Sequence, residues 1–245
     1  MKAMIFAAGL GTRLKPITDT MPKALVPVCG QPLLCHVITK LVAAGYDDLV
    51  VNVHHFPDQI IHYLHAHDFG ARIAVSDERD YLRETGGGIR FAKRLLEDEP
   101  FLVHNVDIVS NLDLGWLRKQ HREGALATLV VSERKTQRYF LFDEDNRLKG
   151  WTNIATGEVR SPFPDIDPDR CRKLAFAGIH LISPAIFDAF DRYGFGDRFS
   201  IVDFYLRACG DYPIYAAVPP DFTLVDVGKK ETLSEAERVC ETILR

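Results

Sequence analysis

Ala3-Met4-Ile5-Phe6-Ala7-Ala8-Gly9-Leu10-Gly11-Thr12-Arg13-Leu14, residues 3–14, is the stretch whose reading decides the fold. The run Met1–Ala7 is short, apolar and not alternating, which predicts a strand buried on both faces. Glycines at 9 and 11 follow at once, and the segment Ala8–Lys23 reads as a loop punctuated by Gly9, Gly11, Pro16 and Pro22. Loops of that length in compact domains are usually functional. Two glycines directly after a strand let the backbone turn sharply and offer successive N–H groups to an anion. Arg13 adds a planar fork suited to phosphate oxygens, and Lys23 a second, compact cation ten residues on. Neither common nucleotide template fits. Leu14 stands where GxGxxG needs its third glycine, and no GxxxxGK[ST] occurs.

Working outward, Pro32 opens a helix with Leu33, Leu34, Val37, Ile38, Leu41 and Val42 on one face, closed by Gly45. Asp48–His54 predicts a strand, Asp58–His67 a helix and Ala71–Val75 a strand. Gly86–Gly88 lead into a further helix, and Phe101–His104 is a strand ending at Asn105-Val106-Asp107. This alternation requires a mainly parallel sheet with helices on both faces. Strands are also expected at Ala125–Ser132, Arg138–Phe142, Leu174–Ile182, Tyr212–Val218 and Thr223–Val227. Asp143–Arg147 reads as a hairpin turn and Gly157–Lys173 as a polar loop. Helices are expected at Pro184–Arg192, Ser200–Cys209 and Lys230–Leu244, the last aligning Leu233, Ala236, Cys240 and Ile243. One domain with two lobes is expected: 1–110, 111–228 and a C-terminal helix over 229–245.

Composition narrows the partners. The 245 residues carry 30 Lys and Arg against 34 Asp and Glu, a net charge of −4 without any basic stripe, so nucleic acid is not an expected partner. No apolar run approaches the roughly 18 residues of a membrane span, and the N-terminal run is too short for a signal-peptide core. The five cysteines, Cys29, Cys35, Cys171, Cys209 and Cys240, form no CxxC pair, which favours small buried thiols, a reducing cytosol and a cytoplasmic location. His54, His55, His62, His65 and His67 lack zinc-ligand spacing, and Glu97–Glu99 reads as a solvated helix end.

The composite of a strand, Gly9–Leu14, a loop and Pro22-Lys23-Ala24-Leu25-Val26-Pro27-Val28 resembles the signature of sugar-1-phosphate nucleotidyltransferases. Four further stretches resemble that family in order: Glu84–Ile89 its nucleobase loop, Asn105–Ile108 its metal-binding strand end, Phe176–His180 its sugar-pocket strand, and Val225–Gly228 its second metal aspartate. The resemblance implies a Rossmann-like three-layer α/β/α fold with a mainly parallel, mixed central sheet. It implies Mg²⁺-dependent condensation of an NTP with a sugar 1-phosphate, releasing pyrophosphate, by a monomer or homodimer. Arg13 and Lys23 would then be catalytic. Ala8, Gly9, Gly11, Thr12, Glu84, Thr85, Gly86 and Asn105 would join them in holding the nucleotide. Gly178 would leave room for the sugar, with Glu84, Asn153 or Asp203 on its hydroxyls.

Asp107 and Asp226 would carry Mg²⁺, which takes carboxylates and phosphate oxygens. Taken alone, Asp107 could equally cap a helix. The expectation is that the two aspartates end neighbouring parallel strands at the carboxyl edge of the sheet, where open α/β folds bind ligands. Close approach to the ligand is the expected reason for the three glycines at 86–88. Val106 stands where relatives often have glycine, and the Glu-Lys-Pro segment that places a lysine on the sugar phosphate is missing, leaving Lys149 and Lys173 as candidates. Trp151 could stack on a ligand or pack in the core.

The compact form resembles uridylyltransferases of N-acetylmuramic acid 1-phosphate, with mannose-1-phosphate guanylyltransferases as the alternative. A phosphocholine cytidylyltransferase, using Tyr139, Phe140, Phe142 and Trp151 as an aromatic cage, is a further reading. So are a glycosyltransferase, which would want a DxD motif where this chain has Asn105-Val106-Asp107, and a non-catalytic nucleotide-sugar-binding subunit.

Overall fold

The computed structural model describes residues 1–243. The first half runs β1 (Lys2–Phe6), three single 3₁₀ turns (Thr12–Leu14, Ile17–Asp19, Lys23–Leu25), β2 (Pro27–Val28), β3 (Gln31–Pro32), α1 (Leu33–Ala43), β4 (Asp48–Val53) and α2 (Pro57–Ala66). It continues with β5 (Arg72–Asp77), α3 (Glu84–Phe91), α4 (Lys93–Leu96), β6 (Phe101–Asn105) and β7 (Ile108–Ser110). The second half adds α5 (Leu114–Gln120), β8 (Ala127–Ser132), β9 (Arg138–Phe142), β10 (Leu148–Asn153), β11 (Glu158–Arg160) and β12 (Arg172–Ile182). α6 (Ile186–Arg192), α7 (Ile201–Ala208), β13 (Ile214–Ala217), β14 (Leu224–Asp226) and α8 (Lys230–Ile243) follow.

Ten strands form one mixed sheet. Its backbone order is β11-β10-β9-β12-β6-β1-β4-β5, with β8 pairing β12 and β13. The strands β6-β1-β4-β5 are parallel, as the βα alternation requires. β12 joins them antiparallel to β6, with Ile179 opposite His104, so one sheet runs through both expected lobes. β1 shows why its run is apolar throughout. Ala3 and Ile5 sit in the core cluster beneath α1, while Met4 sits in the opposite cluster with Ile89, Phe190 and Phe204. A strand covered on both faces leaves no alternation to read.

Three local expectations need correcting. The long glycine loop is not irregular, since three 3₁₀ turns fold it back on itself. Its buried side chains Leu14, Thr18 and Ala24 explain why it stays compact. Gly86–Gly88 do not precede the helix but lie inside α3, which a break at Ala92 separates from α4, and the polar segment 157–173 holds a short edge strand, β11. The cysteines also differ. Cys29 is disulfide-bonded, and of the free thiols Cys35, Cys171 and Cys209 only the last is buried. Spacing tests only partners near in sequence, so a bridge made by the tertiary fold leaves no such signal. In α8, Leu233 packs on the core and Ala236 is buried. Leu244 and the side chains of Cys240 and Ile243 lie outside the described residues. Among the described residues no helix is long and apolar enough to cross a membrane.

Candidate active site

The site begins where β1 ends. Asn52 of β4, opposite Phe6 in the register, accepts hydrogen bonds at Oδ1 from the N–H groups of Ala7 (2.8 Å) and Ala8 (3.3 Å). Its Nδ2 donates to Glu78 Oε1 at 2.8 Å, and Glu78 Oε2 accepts from the Arg83 N–H at 3.4 Å. Glu78 is fully buried, and that burial raises its carboxyl pKa; the bonds from Asn52 and Arg83 N–H and the Arg83 charge only partly oppose it. This buried chain ties the entrance of the glycine loop to the segment leading into α3.

Beyond Ala8 the backbone is free. Among the described residues, the N–H groups of Gly9, Leu10 and Gly11 find no protein acceptor. Gly11 lies at φ +65°, and a Cβ there would come within 2.8 Å of Thr18 Cγ2. Thr18 Oγ1 in turn donates to Gly11 O at 2.8 Å, and Leu14 N–H donates to the same oxygen at 2.9 Å. Leu14 is buried while Thr12 and Arg13 are exposed, so the residue replacing the third template glycine is the anchor that holds Arg13 outward.

Opposite the loop, Lys23 is buried after Pro22, and its Nζ donates to Asp107 Oδ2. Asp107 occupies the turn between β6 and β7, and its carbonyl accepts from Val227 N–H at 2.8 Å. Here the expected geometry is corrected. Asp226 does not end a parallel strand of the main sheet. It closes β14, which pairs antiparallel with β7 in a separate two-stranded sheet, with Asp226 opposite Ile108. The two carboxylates are still neighbours, because β7 follows β6 directly across the turn that holds Asp107, and Val227 N–H, next to Asp226, bonds the Asp107 carbonyl. Burial and the neighbouring Asp107 raise the Asp226 pKa, while Lys23, Arg13 and Arg134 pull it back. Asp226 Oδ1 is buried with no hydrogen-bond partner. Gly228 permits the crowding, since a Cβ there would lie 2.7 Å from both Arg13 Nη2 and Asp226 Oδ1.

One cavity of about 540 Å³ lies here; Asp226 itself does not line it, and reaches it only through its neighbours Asp107, Arg13 and Gly228. Ala8, Gly9, Gly11, Thr12, Arg13, Lys23, Glu84, Thr85, Asn105 and Asp107 all line it, together with Asn52, Leu82, Ser200 and Gly228. The other predicted residues lie elsewhere. Gly86 does not line the cavity; a Cβ there would sit 2.2 Å from the Phe199 ring, and its N–H donates to Phe199 O at 2.9 Å. Gly87 and Gly88 are equally constrained, by Asp197 O at 2.3 Å and Glu78 Oε1 at 2.9 Å. The close approach that demands these glycines is therefore protein on protein. Gly178, at φ +72°, makes room for the Asn105 side chain, 2.5 Å from its would-be Cβ, rather than for a ligand directly. Asn153 caps its own hairpin through Ala155 N–H at 3.1 Å, and Asp203 pairs with Arg160 at 2.7 Å, both away from the cavity. Lys149 stacks over Phe163 at 3.6 Å and Lys173 pairs with Asp169 at 2.6 Å. Trp151 packs half-buried against the core with Arg160 over its ring at 5.8 Å.

Three contributors escaped the sequence reading, and a fourth, Gly228, was read without its role. Asn52 and Glu78 look like ordinary strand residues until the fold stacks them. Gly228 was visible only as part of the Val225–Gly228 match. Arg134 reaches across from the end of β8, donating to Phe176 O at 3.0 Å and acting on Asp226 through its charge. Among the described residues it has no carboxylate within ion-pair distance, and the run Glu133-Arg134-Lys135 carried no motif to flag it.

The chemistry of the set is clear. Two adjacent carboxylates, one with an unsatisfied buried oxygen, suit a hard divalent cation. Among the described residues no three His, Cys, Asp or Glu side chains form a metal cluster, so the remaining ligands of such a cation would come from phosphate and water. Free N–H groups, Arg13 and Lys23 supply the complementary donors for a polyphosphate.

Comparisons with known proteins give the family and the fold. A family model described as nucleotidyl transferase matches residues 2–146. The chain is 33% identical over 245 residues to N-acetylmuramate alpha-1-phosphate uridylyltransferase of Caulobacter vibrioides, covering 96% of this chain and 95% of that one. It is 32% identical to UTP–glucose-1-phosphate uridylyltransferase of Synechocystis and 30% identical to mannose-1-phosphate guanyltransferase of Eremothecium gossypii. It covers 94% and 77% of this chain in those matches, but spans only 60% and 51% of those two relatives' lengths. Among solved structures, HddC from Yersinia pseudotuberculosis superposes with a TM-score of 0.78 at 21% identity, covering 97% of this chain and 98% of its own. A UDP-glucose pyrophosphorylase complexed with UDP-glucose gives 0.78 at 17% identity over 98% of both chains, a likeness of fold.

Proposed function

Because this chain belongs to the nucleotidyl transferase family and is a sugar-1-phosphate nucleotidyltransferase, we propose that it transfers a uridylyl group from UTP to N-acetylmuramic acid 1-phosphate. The observation that carries the reaction class is the meeting of Arg13, Lys23 and Asp107 at one cavity beside a loop of unpaired N–H groups, with the Asp226 carboxylate buried next to Asp107, Lys23 and Arg13. The choice of substrate is supported by the uridylyltransferase relative, which matches this chain along almost its whole length.

In this reading the sugar phosphate attacks the α-phosphorus in line and pyrophosphate leaves. A phosphate monoester, with a second pKa near 6, is already largely a dianion at pH 7, so no general base is required. The protein's work is positioning and charge neutralisation. The N–H groups of Gly9, Leu10 and Gly11 cradle the triphosphate, and Arg13 follows the departing β- and γ-phosphates. Lys23, held by Asp107, stands at the α-phosphate. Asp107 and Asp226 would hold Mg²⁺, which supplies neutralisation of the phosphate charge when bound. Arg134, whose charge acts on Asp226, is the cation for the sugar phosphate, while Lys149 and Lys173 are engaged by Phe163 and Asp169. Residues 1–110 serve the nucleotide and 111–228 the sugar. Thr85 and Glu84 fix the far wall by binding Ile201 N–H (2.9 Å) and Arg198 Nε (3.1 Å).

The test crosses UTP, GTP, CTP, ATP and dTTP with a panel of sugar 1-phosphates and measures pyrophosphate release with and without Mg²⁺. UTP with N-acetylmuramic acid 1-phosphate is expected to give the highest kcat/KM. A preference for GTP with mannose 1-phosphate selects the guanylyl reading, and release with phosphocholine but no sugar phosphate overturns the sugar assignment.

A further inference from the structure

A second recess lies behind α3, on the side away from the main cavity. It encloses about 280 Å³ and is lined by Arg83, Arg90, Lys93 and Arg94, with Phe91, Gly87 and Asp197 completing the wall. Nothing in the nucleotidyl transfer derived above uses these four cations. Their charges are incompletely met. Arg83 is buried, clamped between the Tyr81 ring at 4.3 Å and the Phe91 ring at 4.0 Å, and gives one nitrogen to Asp80 at 2.5 Å. Its Nε has no acceptor. Arg90 gives Nη2 to Asp191 at 2.6 Å and leaves a buried Nη1 without a partner. Lys93 stands 3.8 Å from Glu97, too far for a hydrogen bond, and Arg94 is exposed. Buried cationic donors without acceptors cost desolvation energy that an anion would recover. Asp197 is the acid within the lining, and its carbonyl faces Gly87.

We infer that this recess is a second anion site, taking the phosphate group of a soluble phosphorylated small molecule, and that its occupancy is linked to nucleotide affinity at the main cavity. The exposed Phe91 ring offers an apolar wall to the carbon body of such an ester. The link rests on shared walls. Along residues 82–91, Leu82, Glu84 and Thr85 face the main cavity, whereas Arg83, Gly87, Arg90 and Phe91 face the recess. The opposing segment does the same, with Asp197 in the recess and Ser200 in the cavity. Gly86 and Gly87 allow no slack between α3 and that segment, because a Cβ at either meets Phe199 or Asp197 below 2.5 Å. Glu84, held at φ +62° without being glycine, marks the strained junction. Linkage of two sites through one element is reciprocal.

The probe is inorganic phosphate, measured by equilibrium dialysis of the full chain with labelled phosphate at constant ionic strength. The wild type is expected to bind at two sites. Arg13→Gln removes the one in the glycine-loop cradle, and Lys93→Gln/Arg94→Gln raises the dissociation constant of the other at least tenfold. With the cradle saturated by nucleotide, phosphate at the recess shifts the nucleotide dissociation constant at least threefold in the wild type and not in Lys93→Gln/Arg94→Gln. That double variant keeps the wild-type melting temperature and its turnover without added phosphate. Full two-site binding by Lys93→Gln/Arg94→Gln overturns the site, and an unchanged nucleotide constant in the wild type overturns the linkage. Both readouts stand whether UTP or another NTP is the substrate, so their failure is separate from failure of the proposed reaction.

Discussion

Behind the glycine loop, polar groups are buried and held by one another; around the β10–β11 hairpin they are exposed and held by surface ion pairs. Asn52 and Glu78 are almost completely buried and fix Ala7, Ala8 and Arg83 through direct hydrogen bonds. At the hairpin, all three residues of β11 are exposed, and Arg160 and Asp203 meet with nearly half of each side chain in water. The first arrangement fixes geometry to fractions of an ångström, as charge stabilisation in phosphoryl transfer needs. The second tolerates change.

The sharpest way to break that contrast is to remove the charges of the rigid side. Asp107→Ala and Arg13→Ala are each expected to lower kcat by about 10²–10³-fold, the loss typical of one preorganised electrostatic contact. Circular dichroism should show the fold intact, because Arg13 is exposed and Asp107 lies in a turn. Turnover within threefold of wild type in both variants refutes the site.

Two glycines sharpen the contrast next. Gly86→Ala drives a methyl into the Phe199 ring, and overpacking of this kind costs about 1–3 kcal/mol. At about 2–4 °C per kcal/mol for a chain of this size, the melting temperature should fall by roughly 2–12 °C. Gly9→Ala meets no atom within 4 Å, so melting should be unchanged while the nucleotide KM rises several-fold. The reverse pattern, a stability loss at Gly9 and a pure KM effect at Gly86, would restore the sequence-based view that residues 86–88 approach the ligand.

That exchange of roles shows what the sequence could carry. Gly9, Gly11, Arg13, Lys23 and Asp107 were legible because contiguous residues build the cradle and the strand order is set by βα alternation. The pairing of Asp226 through an antiparallel β7–β14 ladder was not, since two three-residue strands leave no periodicity to read. Gly86 was read as a position of close approach and Gly178 as one that leaves room for the sugar, but a sequence cannot say whether the neighbouring atoms belong to a ligand or, as here, to Phe199 and Asn105. Arg134 was missed because a lone surface arginine looks the same wherever it points.

Glu78 gives a pH-dependent probe of the buried network. Its carboxyl pKa is raised by burial, so the folded state favours the protonated form. The stability this contributes is present below 4.5, the value of an unperturbed glutamate, and is lost as pH rises through the raised value. Glu78→Gln cannot ionise. Urea denaturation from pH 4 to 7.5 should therefore show the wild type losing stability relative to Glu78→Gln over that window and running parallel to it above. A constant difference at every pH means that the carboxyl titrates alike in the folded and unfolded chains.

The smallest effect belongs to the exposed side. Asp203 was expected from the sequence to bind sugar hydroxyls, yet its carboxylate is engaged by Arg160 at 2.7 Å, outside the cavity bounded by Arg13 and Asp107. Exposed pairs of this kind contribute about 0–1 kcal/mol, because water competes for both charges and each side chain gives up rotamer freedom. Asp203→Ala should therefore change the melting temperature by no more than about 4 °C and leave both KM values within twofold. The two substrates make the measurement discriminating. A rise in the sugar-phosphate KM alone, with the NTP KM fixed, means that the pair opens and Asp203 turns to the acceptor. Equal, small changes in both keep it a surface ion pair and place acceptor recognition nearer Arg134, whose charge already acts on Asp226.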